Sequence, residues 1–158
     1  MLIAVTGDTH GRIDAIKNEL KGKQPDFLLH TGDFYPDGIK LANYLGIDFK
    51  GVRGNCDTGK RGKREQILDL AGHSFCILHG HQHRVKHTLN NVYYYGREIG
   101  AEVVVFGHTH IPCCEFHDGI WLINPGSPSL PRSGSMASYV LIKAEIDILL
   151  PEIITFGL

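Results

Sequence analysis

Asp8 and His10 stand two residues apart, as do His108 and His110, and each pair adjoins a glycine. Three more stretches share that setting: Gly32-Asp33, Gly54-Asn55-Cys56-Asp57 and His79-Gly80-His81. Carboxylate, imidazole and carboxamide donors together point to a divalent first-row metal, Mn foremost, with Ni, Fe or Zn also suited; Mg fits less well and Ca poorly. Structural zinc sites draw on several thiolates, and this donor set is mostly not cysteine, so the site reads as catalytic. The seven candidate ligands, Asp8, His10, Asp33, Asn55, His79, His108 and His110, are too many for one ion. Two ions sharing a bridging carboxylate would use them all, and two metals about 3.5–4 Å apart clamp both oxygens of an in-line phosphoryl displacement. Water held between them loses its proton near neutral pH and becomes the nucleophile.

Such a centre needs elements that bring distant loops together. Leu2–Val5, Phe27–Leu29, Phe49–Val52, Phe75–Leu78 and Val103–Phe106 are apolar runs, each stopping at one of these glycine-containing loops, the pattern of buried strands. In open α/β sheets ligands bind outside the carboxyl ends of the strands, so parallel strands would make all five loops converge. In an extended segment residues i and i+2 share a side, which would let Asp8 with His10, and His108 with His110, reach one centre or two adjacent ones. Helical spacing appears at Ile13, Ile16, Lys17 and Leu20, ended by Gly22 and Pro25, and again from Ile39 to Leu45, ended by Gly46. A third helix is expected along Leu89, Val92, Tyr93, Gly96 and Ile99. Ile67–Leu70 reads as one more strand, Ile111–Phe116 and Ile120–Ile123 as a hairpin about Asp118-Gly119, and Ala137–Ile142 and Ile146–Ile154 as closing strands. The order implies an α/β fold with two sheets face to face and helices outside.

In that order the motifs resemble the calcineurin-like metallophosphoesterases, whose pattern is D-x-H, G-D, G-N-x-D, H and G-H-x-H. The likeness is greatest to the small single-domain phosphodiesterases of bacteria and archaea, and Asn124-Pro125-Gly126-Ser127 also matches that branch. The resemblance implies a four-layer αββα sandwich of two mixed sheets flanked by helices. It implies that Asp8, His10 and His110 hold one metal, that Asn55, His79 and His108 hold the other, and that Asp33 bridges them. Asn55 would also stabilise transition-state charge, with Cys56 and Asp57 supporting from behind. Many larger members carry histidine where this chain has Cys56. A thiol matches an acid role poorly at neutral pH, so diesters and esters with good leaving groups are the expected substrates.

Plainer readings compete. Asp8, Asp33 and Asn55, taken singly, suit turns or helix caps, but independent turn residues do not produce all seven ligands in this order. His81, His83 and His87 read as solvated loop histidines, His30 as structural, and His73 and His117 as surface or hairpin residues. Cys56 with Arg61 has the spacing C-x4-R, one residue short of a thiol phosphatase loop. A binding module is the other alternative, because the retromer scaffold subunit shares this fold with a degraded metal site.

At 158 residues and 42% hydrophobic content, one domain spanning residues 1–158 is expected. The 16 Lys and Arg nearly balance 17 Asp and Glu, which argues against a dominant nucleic-acid or anionic-membrane surface and makes Lys60–Arg64 a solvated loop. A small phosphate ester or nucleotide diester is the expected partner, and the edge strands of the β-rich tail leave room for a homodimer. The start of the chain has neither a charged n-region nor a long apolar stretch, and its four cysteines form no disulfide framework, so a reducing cytoplasmic location is expected.

Overall fold

The computed structural model describes residues 1–59 and 61–157. Its element order is β1 Leu2–Thr6, α1 Asp14–Lys23, β2 Phe27–His30, α2 Tyr35–Leu45, β3 Asp48–Gly51, β4 Glu65–Leu70, β5 His73–Leu78, α3 Asn90–Glu98, β6 Val103–Val105, β7 Pro112–His117, β8 Ile120–Pro125, β9 Ala137–Glu145 and β10 Ile148–Phe156. A single 3-10 turn, His81–His83, follows β5.

Two five-stranded mixed sheets form, ordered β10-β9-β1-β2-β3 and β4-β5-β6-β8-β7. In the first, β1, β2 and β3 run parallel, and β9 lies antiparallel to β1. In the second, β5, β6 and β8 run parallel, while β4 and β7 pair antiparallel at the edges. Ile3, Val5, Leu29, Phe75, Ile77, Val103, Val105 and Ile142 fill the space between the sheets. Ile16, Leu20 and Leu41 seat α1 and α2 on the outer face of the first sheet, and Val92 seats α3 against Val104 and Leu122 of the second. Burying each such aliphatic side chain contributes roughly 1.5–3 kcal/mol. The result is the αββα layering expected. Because the strands leading to the candidate loops are parallel within each sheet, those loops leave from one edge of the sandwich.

Several boundaries differ from the periodic reading. Gly22 lies inside α1, which ends at the left-handed cap Gln24. The second helix starts about one turn before Ile39, with Pro36 in its first turn, where a missing N–H costs nothing. Asn124 and Pro125 extend β8 beyond the apolar run. His73 is a hairpin residue, as expected, pairing with Leu70 where β4 turns into β5, but it is buried rather than exposed: its ring reaches the Glu145 carbonyl at 2.7 Å and Glu102 at 3.2 Å. His117 is exposed at the end of β7, as expected. In the basic run, Lys60 lies outside the described residues, and Arg61, Lys63 and Arg64 are exposed.

Candidate metal centre

Asp8 and His10 lie in the loop after β1, Asp33 after β2, Asn55 after β3, His79 directly after β5, and His108 and His110 after β6. Ligating atoms of Asp8, His10, Asp33 and His110 lie within 4.8 Å of one another, and so do those of Asp33, His79 and His108. Asp33 belongs to both groups. Its Oδ2 is 3.8 Å from His10 Nε2 and its Oδ1 is 3.3 Å from His79 Nε2. Asn55 joins the second group, with Oδ1 at 3.1 Å from His79 Nε2. All seven residues are therefore together.

The route to this convergence differs from the extended i, i+2 geometry. The strands end before the ligands, and Asp8 (φ 50°), His10 (φ 49°), Asp33 (φ 51°), His108 (φ 70°) and His110 (φ 60°) all adopt left-handed backbone. Asp and His tolerate this region better than most residues, and such strain concentrates at functional sites. Gly32 permits a close approach of two loops: at φ +98°, a Cβ there would sit 2.6 Å from the Gly54 nitrogen.

Backbone acceptors fix the histidine tautomers. Carbonyls only accept, so His79 Nδ1 donates to the Thr31 carbonyl (2.8 Å) and His110 Nδ1 to that of Leu130 (2.7 Å). Each ring then turns an Nε2 lone pair inward, the usual support of a metal-binding imidazole. Burial lowers the pKa of His79 and His110, and burial with the nearby His79 and Lys86 lowers His108 to about 4, which keeps these rings neutral. His79 Nε2, Asn55 Oδ1 and Asp33 Oδ1 thus converge as acceptors. In the other group Asp8 Oδ1 is buried with no hydrogen-bond partner, 3.4 Å from His110 Nε2. Burial and the Asp33 charge push the Asp8 carboxyl well above its ordinary range. Buried carboxylates and lone pairs facing one another are reconciled by bound cations, so the donors fit two divalent ions.

The surrounding groups brace this arrangement. Asp8 Oδ2 accepts from the His108 N–H (2.8 Å), and Asp33 Oδ1 from the Cys56 N–H (2.9 Å). Asp57 accepts from the Tyr35 N–H (2.7 Å) and Gly54 N–H (2.8 Å), tying the asparagine loop to α2. Cys56 is exposed, and desolvation together with the Asp33 side chain pushes its thiol up to about 11. A thiol protonated at neutral pH does not make a nucleophilic phosphate loop. His30 is structural: burial lowers it to about 4, and its Nδ1 accepts from the Gly32 N–H (3.1 Å).

Four further residues support the site: Asn124 and Ser127 belong to the matching stretch noted above, whereas Asp37 and Ser129 carry no motif. Buried Asp37 accepts from Thr9 Oγ1 and the Gly11 N–H, both at 2.8 Å, and so holds the first loop. An acidic residue after Pro36 at a helix start was the available signal. Asn124 donates to the Gly107 carbonyl (3.0 Å), Ser127 to that of Asp8 (2.7 Å) and Ser129 to that of Thr9 (2.8 Å). The cluster His81, His83 and His87 divides. His87 is exposed, but His81 is half-buried with its ring 5.4 Å from that of His79, and His83 packs on Tyr95 at 5.0 Å.

Comparison with known proteins agrees with this geometry. The calcineurin-like phosphoesterase superfamily domain matches residues 1–147. The probable metallophosphoesterase YsnB of Bacillus subtilis is 34% identical over 149 residues, covering 93% of this chain and 86% of that one. The phosphodiesterase YfcE of Escherichia coli K12 is 31% identical over 176 residues, covering 92% and 89%. The crystal structure of Vps29 from Entamoeba histolytica complexed with zinc superposes with a TM-score of 0.82 at 19% identity, covering 99% of this chain and all of that one, a likeness of fold.

Proposed function

This chain belongs to the calcineurin-like phosphoesterase superfamily, and we propose that within it the protein is a phosphodiesterase with a dinuclear metal centre, working as one cytoplasmic domain on small phosphate esters or nucleotide diesters. The observation that carries this reading is the pair of carboxylate and imidazole clusters sharing Asp33. Asp8, His10 and His110 would hold one ion, and Asn55, His79 and His108 the other, with Asp33 between them. When bound, the ions, Mn2+ foremost among Mn, Ni, Fe and Zn, supply Lewis acidity and a deprotonated water for in-line attack at phosphorus.

The chain's own groups do the rest. Thr31 and Leu130 carbonyls aim the two imidazoles. Asn55 stands at the exposed face of the site, where its carboxamide stabilises charge developing on the phosphoryl oxygens, commonly the largest contribution to such catalysis. With the Cys56 thiol near 11, no strong acid stands at that position. That supports a preference for diesters and good leaving groups over alkyl monoesters. The long edge strand β10 leaves a homodimer as part of the same proposal.

The deciding experiment is hydrolysis of bis-p-nitrophenyl phosphate beside p-nitrophenyl phosphate, after chelation and after restoring Mn, Ni, Zn or Mg. Metal-restored activity that favours the diester is the expected result. Stoichiometric metal binding with no turnover would instead favour a metal-binding scaffold, the reading to which the zinc-bound Vps29 likeness lends weight.

A further inference from the structure

A cavity of about 370 Å³ opens beside the metal cluster, large enough for the organic part of a small ligand. Its wall includes Thr109, which sits in the chain between the candidate ligands His108 and His110, so it lies next to the centre. Phe106, Val85, Leu89, Ile111 and Cys113 give it an apolar lining. Thr109 Oγ1 is occupied already, donating to the Ile111 carbonyl (3.2 Å) and accepting from Asn124 Nδ2 (2.9 Å). The polar selectivity therefore falls to the charged groups around the mouth.

Two of these are cations. Lys86 and Arg132 both line the cavity and both are exposed. Among the described residues neither forms an ion pair. Arg132 is held against the centre by its own N–H, which donates to the His110 carbonyl at 3.3 Å. Glu115 is the one acid in the wall, farthest along β7 from the ligands, and His117 Nε2 lies 2.9 Å from its carboxylate. Arg132 thus stands next to the candidate ligand His110, with Lys86 and the apolar side chains in the same wall.

We propose that this cavity selects the substrate: a nucleotide diester bearing a second phosphate, with its scissile phosphate at the metal ligands, its nucleoside on the apolar wall, and its second phosphate on Lys86 and Arg132. This rests on the phosphodiesterase reading and narrows its substrate class. An apolar ring gains from leaving water, and a guanidinium with an ammonium suits a phosphate that no metal neutralises.

Three esters with one leaving group test it: methyl p-nitrophenyl phosphate, thymidine 5′-(p-nitrophenyl phosphate) and the latter's 3′-phosphate. For wild type, kcat/KM should rise about ten-fold at each step. The paired substitution Lys86→Gln and Arg132→Gln should remove the second step, and Ile111→Glu, at a position 40% exposed and so tolerant of change, should remove the first. A thymidine ester no better than the methyl ester, with the methyl ester turned over, would overturn the cavity assignment and leave the enzyme reading intact. If no ester is turned over with any metal, the enzyme reading fails. Equilibrium dialysis of ADP against metal-free protein then decides the cavity: binding weakened about ten-fold by the paired substitution upholds it, and no binding, or binding the pair leaves unchanged, retires it.

Discussion

Ser127 Oγ donates to the main-chain carbonyl of Asp8 at 2.7 Å, across 119 residues of chain. The same oxygen accepts from the Leu130 N–H at 2.9 Å, and the Leu130 carbonyl orients His110 at 2.7 Å. One hydroxyl therefore connects the left-handed Asp8 to the tautomer of another candidate ligand. Ser127→Ala leaves a buried carbonyl without its donor, which costs about 1–3 kcal/mol. We expect a lowered melting temperature and weaker metal binding with all ligands still present. A calorimetric melt and a metal titration check this, and unchanged metal affinity would show that the brace serves stability alone.

Asp33 is the residue common to both donor groups. Its carboxyl is held below the ordinary range even though burial pulls it up, because the His79 ring and the Cys56 N–H outweigh that pull. Asp33→Ala should abolish diester hydrolysis and lower the bound metal per chain. Full activity in this variant would remove Asp33 from the bridging role. Asp33→Asn separates charge from shape, and should keep the fold while losing metal.

What could be read from the chain followed from how demanding the chemistry is. Metal ligation restricts residue type so severely that Asp8, Asp33 and His79 stand out beside their glycines. The apolar runs before them leave little choice but buried strands, and β1, β2 and β6 formed as expected. Supports are less restricted. Any hydroxyl at the right point can cap the Asp8 carbonyl, so Ser127 stands out only as part of its matching stretch, and its partner is set by tertiary closure. Left-handed backbone at Asp8 or His110 is likewise imposed by tertiary contacts, whereas periodicity registers only regular elements. The burial of His73 in its hairpin is hidden for a similar reason: it depends on Glu145 at the end of β9, which lies in another sheet.

Cys56 occupies the exposed rim beside Asn55, whose Nδ2 is 3.6 Å from the sulfur. An imidazole there would titrate near neutral pH, unlike a thiol near 11. Cys56→His should raise hydrolysis of p-nitrophenyl phosphate, and of alkyl monoesters more, by roughly ten-fold or greater, within the range of general acid catalysis. Steady-state rates on both substrates, with equal metal content verified, provide the check. No rise would mean that something other than the missing acid sets the substrate preference.

His73 links the two sheets at a distance from the candidate metal ligands, and it gives stability a pH dependence of definite sign. Burial opposes protonation of its ring, but hydrogen bonds to the Glu145 carbonyl and to Glu102, with the Asp69 charge adding to them, raise its pKa above the ordinary value. Its contribution is therefore complete below the unfolded value of about 6.5 and is lost as pH rises through the folded value. Glu102 is lowered, first by the Ser74 N–H and, against burial, by His73, so its contribution holds above about pH 4.3 and fades as pH falls through the folded value. The difference in melting temperature between wild type and His73→Gln should be largest between these limits, at roughly pH 5–6, and should shrink toward about pH 8. Comparing the two proteins at each pH cancels the titration of the histidines at the candidate site. A difference that stayed flat, or grew with pH, would mean that the neutral ring supplies the clamp.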